Sequence, residues 1–450
     1  MFKRVLVANR GEIAVRIIRA LRNMGIASVA VYSKEDRNAM HVRLADSRVC
    51  IGEGPARASY LNMDAIISAA LNMECDAIHP GYGFLSENST FARRCAENNI
   101  CFIGPSPDII DAMGNKSAAR KCMMEAGVPV VPGTKEPIYD AEKGKKIAQE
   151  IGFPVMIKAS SGGGGKGMRE CLREEDFEEE FNMAQRESAN AFSDDTMYIE
   201  KLILHPRHVE VQIMGDRYGH VIALGDRDCS VQRNHQKLIE ESPSPAINDS
   251  IRMQMYKDAI LAGQAVGYNS AGTIEFILDP SGQYYFMEMN TRIQVEHGVT
   301  EMETGIDLVM EQIRIAAGEA LRFRQEDISL RGHTIECRIN AEIPEKNFMP
   351  SPGKITGMLL PGGNGVRVDT AIYTGYEIPM EYDSMIAKIL VHASDRDAAI
   401  MKMRAALDET LIMGIDTNLD FQYKIMNNET FCRGKADTGF IEAFTQGGKS

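Results

Sequence analysis

Residues 271–298 read AGTIEFILDPSGQYYFMEMNTRIQVEHG, and no other stretch constrains the fold as tightly. Two apolar runs flank Asp279-Pro280-Ser281-Gly282, residues that supply a fixed φ, a side-chain turn and a permissive φ, so the pair is read as a hairpin. A four-residue tip at 280–283 places Glu275 directly opposite Glu288. Cross-strand partners share one face, about 5 Å apart. Two carboxylates that close repel each other unless a cation lies between them. Oxygen-only ligands and a nearby phosphate favour Mg²⁺ or Mn²⁺.

Past Glu288 the polar residues keep even numbers. Glu288, Asn290, Arg292, Gln294 and Glu296 alternate with Met289, Thr291, Ile293 and Val295. In an extended chain they line one face for roughly 26 Å at ~3.3 Å per residue. A strand wetted on one side alternates in the same way. Such a strand carries Lys and Thr, however, not two metal-type ligands, a guanidinium and a further acid. The preceding strand is also apolar at both parities, as in a buried sheet. The row is therefore read as functional. ECRINAE (336–342) alternates likewise and puts Glu336, Arg338 and Asn340 on one face, and DCSVQRNHQK (228–237) is dense in donors.

A second constraint is the run SSGGGGKGM at 160–168. Consecutive glycines let backbone N–H groups approach an anion closely, and Lys166 adds a cation. A P-loop needs G-x-x-x-x-G-K-[ST] leading into a helix. Here Ser160 stands where the first glycine would be, Gly167 follows the lysine, and the flanks FPVMIKAS and GMRECL are extended. The run is read as a hairpin tip over phosphates, with Lys158 on the strand beneath it. The acidic stretch REEDFEEEF (173–181) that follows is read as a solvated helix face.

The N-terminal third has a different rhythm. Short apolar runs at 5–8, 28–32, 49–51, 76–79 and 101–103 alternate with helical patterns. Ile13, Ala14, Ile17, Ile18, Leu21 and Met24 recur at helical spacing before Gly25. Strand–helix–strand with buried strands predicts a parallel α/β sheet. The turn after the first strand reads ANRGEIA, not G-x-G-x-x-G, which argues against a dinucleotide site. Asn115 is read as a helix cap, with Gly127 ending that helix. Residues 207–300 look largely β. From about 331 the pattern changes to a mixed C-terminal domain.

Charge and composition exclude whole classes. Net charge is −13, so a general nucleic-acid binder or membrane-surface binder is not expected. No apolar run approaches ~20 residues, and the short run after MFKR does not make a signal peptide. Nine scattered cysteines without a CxxC suggest reduced thiols and a cytoplasmic location. A zinc site from His205 and His208, or from Cys229 and His235, lacks a four-ligand set.

The motifs ANRGEIAVRI, HPGYGFLSEN, FIGPS, KASSGGGGKGM, RDCSVQRNHQK, EMNTRIQVEH and ECRINAE, in this order along nearly the whole chain, resemble biotin carboxylase. That family supplies the ATP-grasp component of acetyl-CoA carboxylase and related biotin enzymes. The resemblance implies an α/β and α+β architecture in three parts. These are an N-terminal parallel α/β domain (1–114), an ATP-grasp domain (115–330) with a mobile lid at about 131–203, and a C-terminal domain (331–450). It implies ATP-dependent carboxylation of biotin by bicarbonate through carboxyphosphate, the first half-reaction of acetyl-CoA carboxylase in fatty-acid synthesis. The alternative is the same catalytic chain in a split pyruvate or other acyl-CoA carboxylase. Implied partners are bicarbonate, a biotin carboxyl carrier protein, carboxyltransferase subunits and a second copy in a homodimer.

Carried over by motif, Lys116, Lys158 and His208 hold ATP phosphates, with the amides of Gly163, Gly164 and Gly165. Met168, Glu200, Lys201, Gln232 and His235 belong to the nucleotide site. Glu275, Glu288 and Asn290 bind two Mg²⁺ or Mn²⁺ ions. Arg292, Gln294 and the Val295 backbone hold bicarbonate. Glu296 is the base, Arg338 stabilises the biotin enolate, and Lys237 stands near the reacting phosphoryl group. Two positions depart from the family: Gly298 where Pro is usual, and Asn234 where a basic residue is common.

Met401-Lys402-Met403 imitates a biotin attachment site. Ile400, Met403, Leu407 and Leu411 repeat at helical spacing, which puts Lys402 on a helix and not at a hairpin tip. Biotin is therefore expected on another polypeptide.

Overall fold

The computed structural model describes residues 1–134, 136–159, 168–192 and 195–447, and the glycine run falls outside them. The chain divides into two compact units. The first comprises Met1–Val128, Arg207–Phe276 and Glu288–Ser450; the second comprises Pro129–Pro206 and Ile277–Met287.

In the first unit the five predicted apolar runs form one parallel sheet. Its strand order is Ser47–Gly52, Ala27–Ser33, Arg4–Val7, Ala77–His79 and Cys101–Phe102. The helix Gly11–Asn23 returns the chain from the first strand to the second, as a parallel crossover requires. Its buried stripe of Ile13, Ile17, Ile18 and Leu21 packs with Val5 and Val7. Met24 caps it, and Gly25 follows at φ +71°. Asn115 caps Lys116–Ala126 by accepting from the Ala118 N–H at 2.9 Å, and Gly127 ends that helix at φ +84°.

The second sheet has eight strands, in the order Tyr284–Asn290, Ser270–Leu278, Arg207–Gly215, Val221–Arg233, Gln236–Ser242, His333–Asn340, Met385–Ala393 and Val366–Thr370. The region 207–300 is nevertheless not simply β. Asp249–Ala265 is a helix whose buried residues are Met255, Tyr256, Asp258, Ala259, Ala262 and Gly263. That face sets Asp258 and three small residues beside Met255 and Tyr256, so no continuous apolar stripe announces it. Lys402 lies on the helix Arg396–Glu409, as the spacing predicts, but Leu411 begins the strand Leu411–Met413 and does not extend the helix.

In the second unit Val155–Ala159 is the middle strand of a three-stranded sheet. It pairs antiparallel with Met168–Cys171, Lys158 opposite Met168, and with Met197–Lys201. The strands flanking the glycine run are thus adjacent. Phe177 and Phe181 of the helix Phe177–Phe192 pack on Val155, Ile157 and Ile199. The acidic stretch therefore keeps a buried aromatic edge along with its charged face.

Two readings of the hairpin need correction. Its turn closes through the Asp279 N–H to Gln283 O (2.8 Å) and the Gly282 N–H to Asp279 O (3.0 Å). The tip is therefore the three residues 280–282, with Gly282 at φ +91°, and not four, so the turn no longer sets Glu275 directly opposite Glu288. The strand also stops at Asn290; residues 291–296 turn, and His297–Thr304 is a helix. The even-numbered row is not one straight strand face.

Candidate active site

The row nevertheless converges. Apart from Glu288, its side chains gather on one network: Glu296 meets Lys237, the second residue of the strand Gln236–Ser242, while Asn290 and Gln294 meet Glu275. Lys237 Nζ lies 2.7 Å from Glu210, 3.2 Å from Glu275 and 2.6 Å from Glu296. The same Glu275 oxygen accepts from Asn290 Nδ2 and Gln294 Nε2, both at 2.7 Å, and His208 Nε2 is 3.0 Å from its other oxygen. Glu275, Asn290, Gln294 and Glu296 are all buried. Arg292 is half-buried, donates to Asn290 Oδ1 at 2.8 Å, and is held at Nε by Glu87 at 2.8 Å.

Arg338 reaches this cluster from the strand His333–Asn340. Its Nε donates to Glu240 at 2.6 Å and its Nη2 lies 3.0 Å from Glu296 Oε2. Glu336, predicted for the same face, is instead 3.8 Å from Lys388. Beneath the cluster Arg227 is fully buried. It donates to Glu210 (2.6 Å), Gln212 (2.7 Å), Thr300 (2.9 Å), Thr273 (3.1 Å) and Gln294 Oε1 (2.8 Å). The last bond turns the Gln294 NH₂ toward Glu275.

These contacts set the charges. Burial opposes ionisation of Glu296, but Lys237, Arg338 and Arg227 outweigh it and hold its carboxyl well below the usual range. Glu275 is likewise held down by Lys237 and His208 against burial. Lys237 is pushed up, because burial is outweighed by Cys229, Glu210, Glu275 and Glu296. Burial pushes Glu240 up in spite of Arg338. At neutral pH the cluster therefore presents ionised Glu275 and Glu296 around a protonated lysine.

Glu288 stands apart from these bonds. It is half-exposed and lies 3.2 Å from the ammonium of Lys116, the first residue of its helix. Gln232 lies opposite Lys237 in the ladder, and the two-residue turn Asn234–His235 joins their strands. Both turn residues have positive φ, +49° and +63°. Asn tolerates that conformation, so the family departure at 234 suits the turn. Gly298 is the second residue of the helix His297–Thr304, and a Cβ there would come within 2.7 Å of Leu390 Cδ2.

In the second unit, Lys158 and Glu200 form an ion pair between neighbouring strands. Lys201 Nζ donates to the carbonyls of Gly152 (2.7 Å) and Phe153 (2.9 Å). Met168 is exposed at the start of its strand. Gly163, Gly164 and Gly165 lie outside the described residues.

Sequence reading missed Glu87, Glu210, Arg227, Glu240 and Lys388. A usable signal existed for Glu210. His208, Glu210 and Gln212 alternate with Val209, Val211 and Ile213, the parity pattern that singled out 288–296.

Comparison with known proteins agrees with the motif resemblance. The family model described as the biotin carboxylase N-terminal domain matches residues 1–110, and the biotin carboxylase C-terminal domain matches 336–443. Between them, residues 115–324 match the ATP-binding domain of the carbamoyl-phosphate synthase L chain. A biotin carboxylase of Nostoc sp. is 55% identical over 441 residues, covering 98% of this chain and 99% of its own. A pyruvate carboxylase subunit of Methanothermobacter thermautotrophicus is 52% identical over 447 residues, covering 99% and 91%. Among solved structures, the biotin carboxylase domain dimer of Hydrogenobacter thermophilus 2-oxoglutarate carboxylase, in complex with MgADP, ADP and bicarbonate, superposes with a TM-score of 0.90. It is 49% identical and covers 99% of this chain and 98% of its own. With identity of this level along both whole chains, and three domain models in sequence, the protein belongs to the biotin carboxylase family of ATP-grasp enzymes.

Proposed function

We propose that the chain carboxylates biotin on a separate carrier protein, using MgATP and bicarbonate, as the first half-reaction of a cytoplasmic acetyl-CoA carboxylase that feeds fatty-acid synthesis. The observation that carries this reading is Lys237 held among Glu210, Glu275 and Glu296, with Arg338 on the far oxygen of Glu296.

Bicarbonate is a stable anion and a weak nucleophile. Arg292 offers it a planar fork, already aimed by Glu87, and Gln294 and the Val295 backbone complete its seat. Glu296 is ionised and so can take the bicarbonate proton as the oxygen attacks the γ-phosphorus of ATP and ADP leaves. Its basicity rises as Lys237 swings from it toward the phosphoryl group. Carboxyphosphate then breaks to CO₂ and phosphate. The phosphate removes the biotin N–H proton, Arg338 offsets the enolate charge, and the biotin nitrogen attacks CO₂ to form carboxybiotin.

The residues present fit a hard divalent cation. Glu275 stays ionised although buried, Asn290 touches it, and Glu288 is a half-exposed carboxylate that pairs with Lys116 at the surface. Mg²⁺ or Mn²⁺ held by Glu275, Glu288 and Asn290 would offset charge on the ATP phosphates. Lys116, His208, Gln232 and His235 of the first unit, and Lys158, Glu200, Lys201, Met168 and Gly163–Gly165 of the second, are proposed for the nucleotide.

The test is ADP release with biotin and bicarbonate omitted in turn. Release that requires both supports the assignment; release indifferent to bicarbonate overturns it. The 52% identity to a pyruvate carboxylase subunit favours a second reading, in which the parent enzyme is a pyruvate carboxylase. The carrier and transferase that co-purify with the chain decide between them.

A further inference from the structure

Under the turn that follows Asn290 lies a buried charged layer. Lys388 is fully buried, and its ammonium lies 3.8 Å from each of Glu12, Glu336 and Asp369. Among the described residues it donates to one hydrogen-bond acceptor, the carbonyl of Val295. One residue back, the carbonyl of Gln294 accepts from His297 Nδ1 at 2.8 Å. Two successive carbonyls are thus held by buried donors.

A trans peptide sets its C=O and N–H in opposite directions. Holding the Gln294 carbonyl fixes the direction of the Val295 N–H, and holding the Val295 carbonyl fixes that of the Glu296 N–H. Among the described residues neither N–H donates to a protein group. Adjacent amides without a protein acceptor, each directed away from the donor that holds the preceding carbonyl, His297 or Lys388, form an anion-binding concavity.

We propose that Lys388 is a positioning residue for bicarbonate: it never touches the anion, but it holds the Val295–Glu296 peptide so that the amides face the anion's seat. The inference rests on the bicarbonate reading above. The surroundings keep Lys388 charged. Burial opposes the ammonium, and Glu12, Glu336 and Asp369 outweigh that effect. Among the described residues neither oxygen of Glu336 accepts a hydrogen bond, and all three acids stand 3.8 Å from the ammonium, beyond hydrogen-bond reach. The acids therefore hold the lysine in place without competing with the Val295 carbonyl for its protons.

Two variants test this. Lys388→Met combined with Asp369→Asn removes the donor together with one acid, so the net charge of the layer is unchanged. Lys388→Arg keeps a cationic donor with a different reach. The readouts are the bicarbonate KM in biotin-dependent ADP release and the MgATP Kd by titration calorimetry. Expected for the double variant is a bicarbonate KM raised about tenfold or more with MgATP affinity kept, and for Lys388→Arg a smaller rise. A bicarbonate KM unchanged in a folded, active variant overturns the proposal. So does an equal loss of MgATP affinity, which marks a purely structural lysine. Should the double variant fail to fold, Lys388→Arg decides by the same two criteria. Unmutated protein whose ADP release ignores bicarbonate would sink the functional reading itself, a different result.

Discussion

Lys237 Nζ stands 2.6 Å from Glu296 Oε1, so the proposed base and the proposed phosphoryl-facing cation begin as an ion pair. Each masks the other until substrate separates them. Glu296→Gln keeps the shape and removes the proton acceptor. Biotin-dependent turnover is expected to fall by about 10²–10⁴, the usual range for a positioned general base. MgATP affinity should stay close to that of the unmutated chain. A loss of kcat under tenfold would remove Glu296 from that role.

Arg227 should matter to both stability and rate. It is fully buried and supplies every one of its five bonds to a different acceptor. Arg227→Met strands Glu210 without its guanidinium and frees Gln294 to rotate. Breaking a buried pair by removing one partner costs about 3–5 kcal/mol. The urea midpoint should drop accordingly, and bicarbonate KM should rise in whatever folded protein remains. A midpoint unchanged by the substitution would show that the network relaxes around the loss.

Glu288→Gln should separate metal binding from folding. The Lys116–Glu288 pair is largely exposed, and such pairs contribute about 0–1 kcal/mol. The melting temperature should therefore barely move, while the Mg²⁺ concentration for half-maximal ADP release should rise by roughly tenfold, as one anionic oxygen ligand becomes a neutral amide. Equal Mg²⁺ dependence in both proteins would take Glu288 out of the metal site.

Much of this was legible because local rules were strong where they applied. Asn115, Gly127 and the buried stripe of Gly11–Asn23 fix their elements with few competing choices. The row 288–296 was legible as chemistry but misread as geometry. Alternation fits a strand, and it also fits a strand that bends at Asn290 when buried donors pull the following residues inward. Of those donors, Lys388 sits singly in an apolar strand and Arg227 lies between Asp226 and Asp228, both far away in sequence. Periodicity carries no record of which carboxylate or carbonyl a lone buried cation will reach. The hairpin tip failed for a smaller reason: Gly282 accepts φ +91°, which lets the turn close one residue sooner than a four-residue tip. The helix Asp249–Ala265 was hidden because its inner face mixes Met255 and Tyr256 with Asp258 and the small Ala259, Ala262 and Gly263.

The last prediction concerns pH and lies away from the cluster. Glu303 is buried, and burial pushes its carboxyl from an ordinary 4.5 up to about 7. Thr334 Oγ1 donates to it at 2.8 Å and opposes the shift, while Asp226 adds to it. Between those two pKa values the folded chain binds a proton that the unfolded chain has lost. Stability must therefore fall as pH rises from about 4.5 to about 7, and stay lowered above that. Glu303→Gln keeps an acceptor for Thr334 and cannot ionise. Relative to the unmutated chain it should be near neutral at about pH 4.5 and more stable at about pH 8 by on the order of 2–3 kcal/mol. Urea midpoints of both proteins at the two pH values measure this directly. A stability difference that is the same at both would mean that Glu303 titrates normally, and that water or His392, 3.7 Å away, already supports its charge.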